Sequence, residues 1–183
     1  MIHIKLPLAR KTARSLSAGD EVLLTGVIYT ARDAAHKRLY ELLQKGEKLP
    51  VDLKGAVIYY TGPPAAPPGR ATGSIGPTTS SRMDPYTPEL LRYGVAGIIG
   101  KGPRSKDVLD AVRETGAVYF SAVGGAGALL SERVVSSEVV AFPELGAEAI
   151  RRLEVENLPV TVAVDSQGRD LYKEGRAAYL RTV

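Results

Sequence analysis

The chain has no cysteine and no tryptophan, and only 2 histidines, 2 methionines and 2 phenylalanines among its 183 residues. Without thiols it forms no disulfide and offers no thiolate ligand to an iron–sulfur cluster. His3 and His36 stand far apart and fit no zinc spacing, so no metal ligand set is expected on this chain. It also lacks any run of about eighteen apolar residues, so no membrane span is expected. Residues 1–10 lack the apolar core of a secretory signal, and the cytoplasm is the expected compartment. Neither sign of charge dominates strongly: 24 Lys and Arg stand against 20 Asp and Glu, a net charge of +4. The sequence pI of about 9.3 favours acidic ligands or an acidic partner. The basic residues form no dense tract and are not interleaved with aromatic rings, so a nucleic-acid surface is not indicated.

Hydrophobic residues make up 44% of the chain, enough for a packed core. Its length fits one domain over residues 1–183, with a helical or loose tail from about residue 173. Alternating Ile2, Ile4 and Leu6 predict a first strand, and further apolar strands are expected at 21–29, 56–60, 95–99, 117–120, 134–142 and 155–164. Pro159 inside the last of these predicts an edge or a bulge. Helices are expected from about 31 to Gln44, with Thr30 as N-cap and Asp33 closing a capping box, and then over 88–92, 105–114, 127–133 and 143–153. Strands alternating with short helices predict an α/β fold with a mixed sheet and flanking helices.

Residues 61–88 hold much of the proline and glycine, and a loop that long inside a domain is usually functional. Within it runs Gly73-Ser-Ile-Gly76-Pro-Thr78-Thr79-Ser80-Ser81-Arg82-Met-Asp84. Hydroxyls, backbone N–H groups and a guanidinium brought together on one loop suit a carboxylate or phosphate. Arg82 could grip such an anion or close a salt bridge to Asp84. Arg32 follows a strand and opens a helix, a natural anion position that would equally leave it solvated. Asp33 is accounted for by capping, and His36, one turn beyond Arg32, by a structural role. Lys101 lies between Gly100 and Gly102 just past a strand, where ligands of open α/β sheets gather. Thr78 is too weak an acid to act as a base unaided; it either positions substrate or passes a proton to a carboxylate. The 125–130 stretch lacks the third glycine of a dinucleotide fingerprint, and Lys101 lacks the Ser or Thr of a Walker A loop.

Gly76-Pro-Thr-Thr-Ser-Ser-Arg-Met-Asp84 resembles the signature loop in the β half of class I (iron–sulfur) fumarate hydratases, a half shared with L-tartrate dehydratase β subunits. Residues 26–36, Tyr59-Tyr-Thr-Gly-Pro63, Gly100-Lys-Gly102 and Gly124-Gly-Ala-Gly127 follow in that family's order, so the resemblance covers residues 2–172. It implies a swivelling β/β/α domain of the fumarase C-terminal type. It implies a β subunit of a heteromeric hydro-lyase that hydrates fumarate to L-malate, with an α2β2 assembly expected. The partner α subunit would carry a 4Fe–4S cluster through three cysteines. By the same resemblance Arg32, Thr78, Thr79, Arg82 and Lys101 bind the dicarboxylate, Thr78 stands beside the carbon that gains or loses a proton, and Asp33, His36 and Gly76 are secondary members of the site. L-tartrate dehydration, or a non-enzymatic anion-binding module, are the other readings.

Overall fold

In the computed structural model, which describes residues 1–180, seven strands and six α-helices follow one another, alternating except at the last two strands, which only a 3-10 segment separates. The order begins β1 (Ile2–Lys5), α1 (Arg10–Ser15), β2 (Glu21–Thr30), α2 (Asp33–Gln44) and β3 (Val57–Tyr59). It continues through α3 (Thr87–Tyr93), β4 (Gly97–Gly100), α4 (Lys106–Thr115), β5 (Val118–Ser121) and α5 (Gly127–Ser131). Strands β6 (Val134–Ala141) and β7 (Ile150–Val164) and helix α6 (Leu171–Leu180) follow. Residues 181–183, the end of the expected tail, lie outside the described residues.

The strands form one mixed sheet. β2, β3, β4 and β5 lie parallel in sequence order, and β7 runs antiparallel to β5. β7 also pairs antiparallel along the whole of β2, from Glu21↔Thr161 to Thr30↔Arg151. The ring β2–β3–β4–β5–β7 therefore closes on itself. β1 adds parallel to the first half of β2, and β6 adds antiparallel to the first half of β7. Pro159 falls on β7 between Val155, a β6 partner, and Thr161, a β5 partner. No strand occupies that stretch of the edge, so a residue without an N–H is tolerated there.

Strand alternation divides the side chains between two cores. Val57, Tyr59, Ile99, Val118, Phe120 and Val162 point into the ring with Leu24, Ile28 and Leu153. Ile58, Tyr60, Ile98, Tyr119 and Ala163 point the other way and pack against Ala35 and Leu39 of α2, Leu90 of α3, and Val108 and Val112 of α4. This is the α/β architecture with a mixed sheet and flanking helices that the sequence predicts. Its important consequence is that the carboxyl ends of β2, β3, β4 and β5 emerge together at one end of the ring.

Several local expectations change. Thr30 does not cap α2: its hydroxyl accepts from Arg151 N at 3.1 Å and lies 3.4 Å from the Ala149 carbonyl, tying β2 to β7. Arg32 holds the N-cap position, without a side-chain bond. The helix expected at 143–153 is only a 3-10 segment, Pro143–Glu148, broken by Gly146 at φ 58°. Ile150 and Leu153 have helical spacing because β7 buries both faces, one residue in each core. Helix α3 begins one residue before the expected 88, at Thr87, whose hydroxyl donates to the Met83 carbonyl at 2.9 Å. Helix α1 was not expected; its six residues carry no side-chain cap, and only Ala13 is buried.

Candidate functional site at the strand tips

The signature loop is bound to the strand ends through its main chain. Thr78 N donates to the Tyr60 carbonyl at 2.7 Å, just past β3. Thr79 bridges Lys101 in parallel register, just past β4. Ser80 N donates to the Lys101 carbonyl at 2.9 Å, and Lys101 N donates to Ser80 Oγ at 3.0 Å. A Cβ on Gly100 would collide with Ser80 Oγ, so glycine at that position admits the loop. The Gly76 carbonyl accepts from Thr61 Oγ1 at 2.9 Å, which holds the loop's first turn against the segment after β3. Thr78 is half-buried and Thr79 exposed, and neither hydroxyl bonds to protein among the described residues.

Arg32, Asp33 and Arg82 meet. Arg82 Nε donates to Asp33 Oδ1 at 2.8 Å, and Arg32 Nη2 lies 3.7 Å from Asp33 Oδ2. On its other side Arg32 Nε lies 3.7 Å from Glu148 Oε1, too far for a hydrogen bond. A Cβ on Gly62 would meet Arg32 Cδ at 2.9 Å, so the arginine stem lies flat on that glycine. Lys101 extends from the same end toward the loop after β5, its Nζ 3.9 Å from where a Gly124 Cβ would stand. Glu148 carried no signal as a site residue, because only the folding of β7 against β2 brings it to Arg32.

His36 stands behind this cluster. Its Nδ1 lies 2.9 Å from the Arg32 carbonyl, and its ring meets Tyr60 edge-on at 5.0 Å. Burial holds its pKa down at about 4; the bond to the Arg32 carbonyl and the charge of Asp33 oppose the shift, and Arg104 adds to it. The imidazole is therefore neutral at pH 7, a fixed support and not a cationic ligand.

Asp84, the last residue of the motif, is not Arg82's partner. It binds Arg104, whose side chain is fully buried: Nε donates to Asp84 Oδ1 at 2.7 Å and Nη2 to Thr87 Oγ1 at 2.9 Å. The guanidinium also stacks on the rings of Tyr60 and Tyr119, 5.3 and 4.9 Å from their centroids. Burial opposes its charge, but the Tyr60 oxygen, Asp84 and Tyr119 outweigh that and raise its pKa. Nothing local to residue 104 marks it in the sequence, since Tyr60, Asp84 and Tyr119 come from three other segments.

Energetics separates the two arginines. Arg82 is 53% exposed and Asp33 32%, and such a pair contributes at most about 1 kcal/mol. An external carboxylate could compete for such a pair at little cost. Removing one partner from the buried Arg104–Asp84 pair would strand a charge at about 3–5 kcal/mol. Arg82 is thus available to a ligand, while Arg104 is committed to the fold.

The open end of the mixed α/β ring thus gathers hydroxyls and cations from the signature loop and from the tips of β2 and β4. The chain belongs to the family described as Fumarase C-terminus, which matches residues 1–175. It is 39% identical over 177 residues to Fumarate hydratase 2 of Leishmania major, covering 94% of this chain and 31% of that protein. It is 43% identical over 153 residues to the anaerobic class I fumarate hydratase of Escherichia coli (strain K12), covering 82% and 28%. A protein of Methanocaldococcus jannaschii, provisionally named L(+)-tartrate dehydratase subunit beta, is 42% identical over 173 residues, covering 91% and 89%. The chain thus spans less than a third of the length of the two fumarate hydratases, and most of the length of the subunit-sized relative.

Proposed function

We propose that this chain is the β subunit of a heteromeric hydro-lyase that adds water across the double bond of fumarate to give L-malate, reversibly. The observation that carries this reading is the gathering of Arg32 and Arg82 around one surface carboxylate, Asp33, at the same end of the ring as Thr78 and Lys101. Arg32, Arg82 and Lys101 bind the substrate carboxylates, and two cationic grips on a dianion fix its orientation. Thr79 and Gly76 shape the loop, and Thr78 presents its hydroxyl beside the carbon that gains or loses the proton. Asp33 holds the two guanidinium groups together in the free chain and yields them when substrate binds.

The residues of this chain do not fit an iron–sulfur cluster. It has no cysteine, and no group of three or more His, Cys, Asp or Glu suited to a metal occurs among the described residues. We assign a 4Fe–4S cluster to the α subunit, where it would act as Lewis acid on the substrate oxygens. Two features support a partner. The fumarate hydratases carry more than twice this chain's length besides the matched part. In addition, an apolar groove of 410 Å³ runs beside the loop at 123–126, with Val123 and Leu129 70% and 67% exposed. A cytoplasmic α2β2 complex completes the reading.

The test is co-expression with a cluster-bearing α chain under anaerobic conditions, with fumarate and L-tartrate assayed side by side. Fumarate turnover that falls about ten- to a hundredfold in kcat/KM on Arg82→Ala, the worth of a charge-assisted hydrogen bond, is the expected result. Dominant turnover of L-tartrate, favoured by the M. jannaschii relative, would reassign the substrate. Hydratase activity from this chain alone would refute the division between subunits.

A further inference from the structure

The peptide that carries Lys101 has all four of its polar main-chain groups bound by three side chains or their backbone. Lys101 N–H and C=O both go to Ser80, at 3.0 and 2.9 Å. Gly102 N–H donates to the Tyr172 hydroxyl at 3.0 Å. Tyr119 Oη lies 2.8 Å from the Gly102 carbonyl and 2.9 Å from Ser80 Oγ. One phenolic proton serves one acceptor, and the carbonyl cannot donate. The Tyr119 proton therefore goes to Gly102, and the Ser80 hydroxyl donates to Tyr119. A continuous relay of hydrogen bonds then runs Lys101 N–H, Ser80, Tyr119, Gly102 C=O. Gly102 stands at φ 84° with open space around it, so glycine is needed there for the backbone twist. A turn with that freedom would not hold a lysine still unaided.

Tyr172 is the outer half of this cradle. It comes from the first turn of α6, and its own N–H is anchored to Asp170 Oδ1 at 3.0 Å. Its hydroxyl also meets Ser121 Oγ, at the end of β5, at 3.1 Å. We propose that Tyr119 and Tyr172 are positioning residues for Lys101, acting through the Gly102 peptide, and that the first turn of α6 is thereby part of the substrate-binding apparatus. This rests on Lys101 binding a substrate carboxylate. Tyr172→Phe removes one hydroxyl and keeps the ring.

The experiment uses the α–β complex and whichever of fumarate or L-tartrate it turns over. It combines a Tyr172→Phe/Lys101→Ala cycle with amide hydrogen exchange at Gly102. Tyr172→Phe should speed Gly102 exchange and raise KM about fivefold, the worth of one neutral hydrogen bond, with kcat within about twofold. In the Lys101→Ala background the same substitution should leave KM unchanged. Unchanged Gly102 exchange, or an additive cycle, overturns the inference while leaving Lys101 as a substrate ligand. A Lys101→Ala enzyme with wild-type KM overturns both the inference and the reading beneath it.

Discussion

Two arginines from neighbouring stretches of chain have opposite fates, and burial decides between them. The exposed Arg82 pair is weak enough to exchange for a ligand, and the enclosed Arg104 pair is not. Arg104→Met should lower the unfolding free energy by about 3–5 kcal/mol in urea denaturation, and Arg104→Met/Asp84→Leu should recover part of the loss. Equal losses in both variants would locate the stability elsewhere. His36 gives a pH prediction of definite sign. Its pKa of about 4 in the fold lies below the ordinary 6.5, so the unfolded chain binds the extra proton first as pH falls. Its contribution is complete above pH 6.5 and is lost progressively down to pH 4, a total of about 3 kcal/mol. A His36→Gln variant should show a flatter stability profile over that window. A slope unchanged by the substitution would show that another group titrates there. At this scale Thr78, Thr79 and Arg82 were nominated from the sequence by sharing one loop, and Arg32 and Lys101 by following strands; the structure places all five at the strand tips. Arg104, Glu148 and Tyr172 were not, because the groups they meet at the site come from other segments of the chain.

Elements with strong local signals formed where the sequence predicted them. Ser105 caps α4 by accepting from Val108 N at 3.4 Å, and Gly116 ends it in the left-handed region at φ 72°. Ser105→Ala should cost about 1 kcal/mol and Gly116→Ala a similar amount, both measurable by thermal unfolding. A smaller effect at Ser105 would show that the Asp84 bond to the Ser105 N–H, 2.7 Å, is enough to hold that end. Elements whose identity depends on neighbours were misread. Thr30 and Asp33 have the spacing of a capping box, but β7 takes the threonine and the arginines take the aspartate. The start of β7 carries a helical spacing of apolar residues for a tertiary reason, the burial of both its faces. Tertiary contacts outweigh capping preferences worth about 1 kcal/mol.

At the scale of the molecule, alternating strands and helices were enough for the α/β class, while the closure of the sheet was not legible. It depends on one strand pairing with β2 on one edge and with β5 and β6 on the other. The strand tips form an open face, and a cavity of 570 Å³ between Leu8, Tyr93 and Ala117 lies at the opposite end of the parallel strands. A site that another subunit walls in should bind dicarboxylates weakly in the isolated chain and tightly in the complex. Calorimetry on both would check this, and equal affinities would favour a self-sufficient anion-binding module.

Because the strand that closes the ring is made after the other four, order of synthesis matters. Until residues 150–164 leave the ribosome, the edge of β2 that faces β7 has no partner, and the inner core is open on that side. Pairings that span more than a hundred residues are slow to find, and an open strand edge invites pairing with other chains. The nascent chain is thus most exposed to aggregation just before its final strand arrives. A stop or frameshift just upstream of residue 150 would yield a product for chaperones and proteases to clear, with the ring left open between β2 and β5.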